Sequence, residues 1–184
     1  MHEFPVTAEL SVSFQRYAYP PTGVISALPA SCGALPVVAA GDGRLLVPAP
    51  QGEAFWVGFV ATHGAPVSAV RAVAVLHGGE RVDLATGAAP EPDDDAAFRV
   101  PPRFAAEGVP RGSGTWWALA RHPGAAAAPA CRSLELAVRS GPPGGGTRVT
   151  AQAYLVGVAE FEARAGVRLP PLDPGARYGG WRLP

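Results

Sequence analysis

The stretch VTAELSVSFQRY, residues 6–17, decides the fold class of this chain. Its apolar residues Ala8, Leu10, Val12 and Phe14 occupy alternate positions, and polar residues stand between them. A period of two is typical of a β-strand with one face buried and the other exposed. The sequence therefore predicts a half-buried strand at this position.

Other segments repeat or vary this pattern. RSLELAVRS (132–140) alternates through Leu134, Leu136 and Val138 or through the complementary positions, and TRVTAQAYLVGV (147–158) alternates Val149, Ala151, Ala153 and Leu155 with Thr150, Gln152 and Tyr154. More continuous apolar runs are short and bounded by Gly or Pro, which favours strands buried on both faces. These runs are RLLVP (44–48), AFWVGFVAT (54–62), VRAVAVL (70–76) and TWWALAR (115–121).

The connections between these segments are rich in turn residues, since the chain holds 21 prolines and 23 glycines. Few windows could hold a helix of ten residues, and the best helical candidate, VAEFEARAG (158–166), could instead prolong the preceding strand. About eight short strands with regular turn signals predict an all-β, single-domain fold with little helix, an antiparallel β-sandwich or jelly roll. A closed β-barrel is the alternative.

The last fifteen residues differ from the rest. Residues 1–169 are predicted to form the sandwich domain, and residues 170–184 an extended C-terminal arm rich in Pro and Gly. Tyr178 and Trp181 make this arm too apolar for a solvated tail, so we expect it to pack along its own domain or against a neighbouring subunit.

Composition excludes several functions. All fifteen basic residues are arginine, fifteen acidic residues balance them, and the chain contains neither lysine nor asparagine. These absences exclude Schiff-base chemistry, a phosphate-loop lysine, a Ser-Lys hydrolase and a Cys-His-Asn constellation. Without a basic run we expect no nucleic-acid partner. Without a long apolar run or a basic amphipathic helix we expect no membrane partner.

The beginning of the chain and its motifs add two further expectations. The first twenty residues show neither a basic leader nor an apolar core, so we expect a cytoplasmic protein. No cofactor fingerprint is present, so we expect no cofactor. Cys32 and Cys131 belong to no CxxC motif, and the sequence leaves open whether they form a disulfide.

The run VLHGGERVDL (75–84) gathers the most chemistry in the shortest space. A two-residue Gly78–Gly79 turn of type I′ would place His77 opposite Glu80 and Leu76 opposite Arg81. In that register His77 and Glu80 share one face of a hairpin, while Arg81 and Asp83 share the other. The four polar residues would then not converge, and His77 and Glu80 would form a pair at the rim.

Two alternative functions follow from the polar residues. A small-molecule binder or enzyme would take its polar groups from His63, His77, Glu80, Arg121 and His122, provided that at least three of them converge. A metal-binding sandwich would rest on the four histidines and the acidic segment EPDDD (91–95), although no metal-ligand spacing is present and no metal site is predicted.

Adjacent aromatic residues lead to the main hypothesis. Neighbours on a strand point to opposite faces, so one residue of Phe55–Trp56 and one of Trp116–Trp117 must face a second layer, a ligand groove or another subunit. Together with Tyr178 and Trp181, these residues are the candidates for a ligand site or interface. The sequence contains no catalytic constellation. The favoured hypothesis is therefore a non-enzymatic protein that acts by self-assembly or partner binding, as a homo-oligomer or with a protein partner.

Overall fold

The predicted strands are present in a computed structural model of the protein, which describes residues 2–41, 43–91, 98–140, 147–173 and 175. The strands in this part of the chain are β1 (Phe4–Pro5), β2 (Leu10–Ala18), β3 (Val24–Ile25), β4 (Val38–Gly41), β5 (Arg44–Pro48), β6 (Glu53–Ala61), β7 (Ser68–Leu76), β8 (Arg81–Asp83), β9 (Phe98–Val100), β10 (Ala105–Ala106), β11 (Gly108–Gly112), β12 (Thr115–Ala118), β13 (Cys131–Ser140) and β14 (Arg148–Val156). A helix, α1 (Val158–Ala165), follows β14.

The strands form three sheets. The front sheet has the order β1-β2-β6-β10, the large sheet the order β4-β5-β14-β13-β7-β8 with β9 also paired to β7, and the small sheet the order β11-β12-β3. Neighbouring strands of the described residues are antiparallel, except that β5 and β14 run parallel. The parallel pair is a departure from a purely antiparallel fold.

The main core lies between the front sheet and the large sheet. Val12, Phe14 and Phe59 of the front sheet belong to one buried cluster with Leu134 and Leu136 of the large sheet. Two sheets that bury their inner faces against each other make a β-sandwich. The prediction of an all-β sandwich is confirmed.

Strand β2 is buried on both faces, so the prediction of a half-buried strand was wrong. Ser13 and Gln15 point away from the main core, yet both are buried. The Gln15 amide donates to Ser13 Oγ at 3.0 Å, and Ser31 Oγ donates to Gln15 Oε1 at 2.6 Å. Because these polar groups satisfy one another, they can be covered at little cost. Gly58, the register partner of Ser13, leaves the space, since a Cβ there would lie 2.6 Å from Ser13 Oγ.

The small sheet covers this second face of the front sheet. Trp56 and Tyr17 pack there with Ile25 and Ala118 in a second core. The indole N–H of Trp56 donates to the carbonyl of Pro29 at 3.1 Å, so the polar atom of the buried ring is also satisfied. The molecule therefore has a third layer that the sandwich prediction did not include.

The β7–β8 hairpin has a register one residue away from the predicted one. Val75 pairs with Arg81, and the backbone N–H of Leu76 donates to the carbonyl of Glu80 at 2.8 Å. Of the two glycines only Gly79 has a positive φ, 87°. A turn with a bulge at Gly79 therefore replaces the predicted type I′ turn. A shift of one residue reverses which face each side chain occupies on one strand.

The segment at 158–166 is a helix rather than an extension of β14. It ends at Gly166, whose φ of 67° suits a residue without a side chain, and it buries Phe161 against Leu46 and Val156 of the large sheet. None of the helices in the described residues is long and apolar enough to cross a membrane.

The start of the predicted C-terminal arm contacts the domain. Arg16 is buried, forms a two-pronged ion pair with Glu53, and donates its remaining Nη1 to the carbonyl of Pro170 at 2.9 Å. Leu169 packs against the main core, and its N–H donates to Glu162 Oε1 at 2.8 Å. Residues 169 and 170 are thus held against the sandwich by these contacts.

Candidate functional site

The outer face of the large sheet carries most of the polar strand residues. In β14 the residues Ala151, Ala153 and Leu155 enter the main core, so Thr150 and Gln152 point outward. The period of two in the sequence predicted this division between the faces.

Strand pairing places scattered residues side by side on this outer face. Gln152 lies opposite Arg44 on β5 and opposite Glu135 on β13, and Glu135 lies opposite Val73 on β7. Val73 in turn lies opposite Asp83 on β8. One transverse row therefore joins residues that span 108 positions between Arg44 and Gln152 in the sequence.

Arginines are concentrated on this face. Arg71 projects from β7 on the same side as Val73, and Arg148 projects from β14 on the same side as Thr150. Among the described residues, six arginines belong to this face. They are Arg44, Arg71, Arg81, Arg99, Arg139 and Arg148.

A groove of about 590 Å³ opens on this face, between the turn at Gly43 and the segment that ends at Glu91. The side chains of Val73, Ala137 and Thr150 form part of its floor. We call it the arginine groove, and its charged lining residues are Arg44, Arg71, Arg81, Arg148, Glu91 and Glu135. Four arginines face two glutamates in this lining, and Asp83, which pairs with Arg71 from outside the lining, reduces the excess to one positive charge.

Two of the groove arginines have carboxylate partners. Arg71 Nε lies 3.1 Å from Asp83 Oδ2 in a largely buried ion pair, and Arg71 Nη1 donates to the carbonyl of Glu91 at 2.8 Å. Arg81 forms an ion pair with Glu135. These contacts hold one wall of the groove in place.

The other two groove arginines stand on the opposite side. Arg44 and Arg148 are exposed, and neither forms an ion pair with any residue that the structure describes. Arg148 also lies directly opposite Arg139 in the register of β13 and β14.

Chemically, the groove is suited to holding an anion. Guanidinium groups present several N–H donors in a fixed plane and bind carboxylate or phosphate oxygens in pairs. Within the described part of the chain no three His, Cys, Asp or Glu side chains are placed to hold a metal ion. Asp93, Asp94 and Asp95 of the acidic segment lie outside the described residues.

The polar residues predicted from the sequence lie elsewhere, and only some of them come together. Partial burial and the positive charges of Arg121, His122 and Arg132 lower the pKa of His77. Three of the five candidates therefore share one positively charged region at the end of β7. His63 precedes β7 and lies at the opposite end of this nine-residue strand.

The predicted rim pair does not form. The described side chains of His77 and Glu80 make neither a hydrogen bond nor an ion pair with each other. No carboxylate is among the groups that shift the pKa of His77. This region therefore lacks the His-carboxylate pair that proton transfer would use.

The aromatic candidates occupy two layers. Phe55 lies in the main core and Trp56 in the second core, both buried within the chain. Trp117 packs against the main core beneath the Arg111 guanidinium, 4.2 Å from its ring centroid, and Trp116 packs against the second core. Tyr178 and Trp181 lie outside the described residues.

The two cysteines are both free thiols. Cys131 is fully buried in the main core, and burial raises the pKa of its thiol to about 12. A thiol held protonated in this way is a poor nucleophile.

Sequence reasoning missed the groove arginines. Their positions could have shown that they lie on the outer face of the sheet. Arg148 alternates with the apolar residues of β14, and Arg71 alternates with those of β7. Each arginine is single in its own segment, so a search for basic runs passes over all of them.

No protein-family model matches the chain, and no match was found among curated proteins or solved structures. The chemistry of the groove is therefore the basis for assigning a function.

Proposed function

We propose that the protein is a non-enzymatic binding protein that takes an anionic ligand into the arginine groove. One observation carries the proposal. Arg44 and Arg148 stand exposed on one side of a concave surface without an ion pair among the described residues, whereas Arg71 and Arg81 on the other side are paired.

The size of the groove also supports ligand binding. Pockets for small molecules commonly enclose about 300–1,000 Å³ and place a few polar groups around an apolar floor. The groove has about 590 Å³, with Val73 and Ala137 on its floor. This proposal is a form of the small-molecule-binding alternative drawn from the sequence, with the site moved from the aromatic and histidine candidates to the arginines.

A set of matched ligands tests the proposal. Ligand-observed NMR would compare benzoate, benzamide and benzylamine, which share a ring and differ in charge. We expect binding of benzoate alone, and its loss in the double variant Arg44→Gln/Arg148→Gln. Arg168→Gln is the matched control, because Arg168 is exposed and lies outside the groove. Equal binding of all three ligands, or binding that survives the double variant, would overturn the proposal.

A further inference from the structure

We infer that the anionic group of the ligand is a phosphate monoester that binds over Thr150, between Arg44 and Arg148. This inference rests on the proposed function and adds the chemical class of the ligand. It also assigns a role to Thr150 and Gln152, two polar residues of the outer face.

The register of the strands centres the site on Thr150. Arg148, Thr150 and Gln152 follow one another on the outward side of β14, and Arg44 lies opposite Gln152. Arg148 and Gln152 are four positions apart on the strand, so their Cα atoms are about 13 Å apart. Both long arginine side chains can therefore reach a group above Thr150 from opposite sides.

The neutral donors at this place are available. Thr150 is exposed, and its hydroxyl forms no hydrogen bond within the part of the chain that the structure describes. Tyr154 donates its hydroxyl hydrogen to Gln152 Oε1 at 2.6 Å. Because this bond fixes the carbonyl end of the Gln152 side chain, its amide N–H₂ remains as a donor for a ligand.

Charge and donor number favour phosphate over carboxylate. One guanidinium satisfies the two oxygens of a carboxylate in a bidentate pair. Two guanidiniums and a hydroxyl match a group with three terminal oxygens and close to two negative charges, which a phosphate monoester has at neutral pH. Arg44 and Arg148 supply two positive charges that no carboxylate of the described residues pairs with.

The part of the groove that a phosphate group would leave empty has room for an organic substituent. The groove is much larger than a phosphate group, and its floor continues past Ala137 to Val73. An apolar substituent of the ester would cover this floor and remove it from water. The inferred ligand is therefore a small organic phosphate rather than inorganic phosphate.

Isothermal titration calorimetry with four probes tests this inference. The probes are phenyl phosphate, phenyl sulfate, benzoate and inorganic phosphate, so that charge, shape and the organic group vary separately. We expect phenyl phosphate to bind at least about tenfold more tightly than each of the others. It carries more negative charge than phenyl sulfate or benzoate, and its ring covers the apolar floor that inorganic phosphate leaves exposed. Thr150→Val should weaken phenyl phosphate by about fivefold and leave benzoate unchanged.

Each other outcome identifies what fails. If benzoate and phenyl sulfate bind as tightly as phenyl phosphate and the double variant Arg44→Gln/Arg148→Gln loses all of them, the phosphate class is overturned and the proposed function stands. If inorganic phosphate equals phenyl phosphate, the organic part is overturned. If no probe binds, or if the double variant binds as the wild type does, both proposals fail.

Discussion

Arg16 and Arg44 are the same side chain in two opposite environments. Arg16 is 4% exposed, and its guanidinium contacts Glu53 at 2.7 and 2.5 Å and the carbonyl of Pro170 at 2.9 Å. Arg44 is exposed in the groove and forms no ion pair with the residues that the structure describes. The comparison separates an arginine that holds the fold together from one that the fold leaves available.

The difference has an energetic consequence. Taking a charge out of water costs several kcal/mol, and only a partner with good geometry offsets that cost. Arg16 and Glu53 must therefore be present together. An exposed arginine has no such requirement, so its replacement should change binding rather than stability.

Replacing Arg16 should have the largest effect on stability. Arg16→Gln leaves the Glu53 carboxylate largely buried without its partner, and we expect the free energy of unfolding to fall by about 3–5 kcal/mol. Urea denaturation followed by tryptophan fluorescence measures this change. The double variant Arg16→Leu/Glu53→Leu removes both charges and should recover much of the loss. A cost below about 1 kcal/mol for Arg16→Gln would erase the contrast with Arg44.

Truncation of the C-terminal arm should have an intermediate effect that depends on where the chain is cut. Ending the chain at Leu169 removes the Pro170 carbonyl and leaves a buried Arg16 donor unsatisfied, which we expect to cost about 1–3 kcal/mol. Ending it at Asp173 keeps that contact and should cost less. Equal denaturation midpoints for the two truncations would show that the Pro170 contact contributes nothing.

The same truncations test the assembly hypothesis. Native mass spectrometry gives the number of subunits for the full chain and for the chain ending at Asp173. If residues 174–184 mediate assembly, the full chain forms a discrete oligomer and the truncated chain is a monomer. The same subunit count for both would exclude a role for these residues, including Tyr178 and Trp181.

Replacing the groove arginines should leave stability nearly unchanged. Arg44→Gln is expected to alter the free energy of unfolding by less than about 0.5 kcal/mol. Arg148→Gln is expected to have an equally small effect, because Arg148 is exposed and forms no ion pair with the described residues. Urea denaturation measures both effects. A large loss of stability in either variant would place these arginines with Arg16.

The smallest expected effect concerns His77. Its pKa is lowered in the folded protein, through partial burial and through the charges of Arg121, His122 and Arg132, so the unfolded chain binds its proton more readily. The contribution of His77 to stability is therefore full above its unfolded pKa of about 6.5, and it is lost as the pH falls through the lowered folded value. Thermal unfolding between pH 7.5 and 5 should be less pH-dependent in His77→Gln. An unchanged slope would contradict this.

Much of the fold could be predicted from local patterns. The alternation of Leu134, Leu136 and Val138 predicted the strand β13 but left its core face open, whereas the pattern around Ala151 and Ala153 identified the core face of β14. The double burial of β2 could not be found in this way. Their alternation with apolar residues predicts that Ser13 and Gln15 face solvent. They can be covered because Gln15 donates to Ser13 and accepts from Ser31, which lies 16 residues further along the chain.

The hairpin shows how a local rule can fail. Two adjacent glycines permit a type I′ turn, but they permit a bulged turn equally well. The sheet decided between them, because the observed register pairs Val82 with Ala74 and places both in the main core. That register turns Arg81 and Asp83 to the outer face together with Val73, and Arg81 and Val73 line the groove.

The sequence by itself determined the strand content, the positions of the turns and the inward or outward direction of residues along most long strands, because these depend on neighbours within about ten positions. Only the tertiary structure decided which strands became neighbours. The parallel pairing of β5 with β14 joins Arg44 to the row that contains Gln152, and the pairing of β7 with β13 adds Arg71. A binding site made of single residues from separate strands exists only after those pairings form, because each pairing is set by burial of the whole sheet.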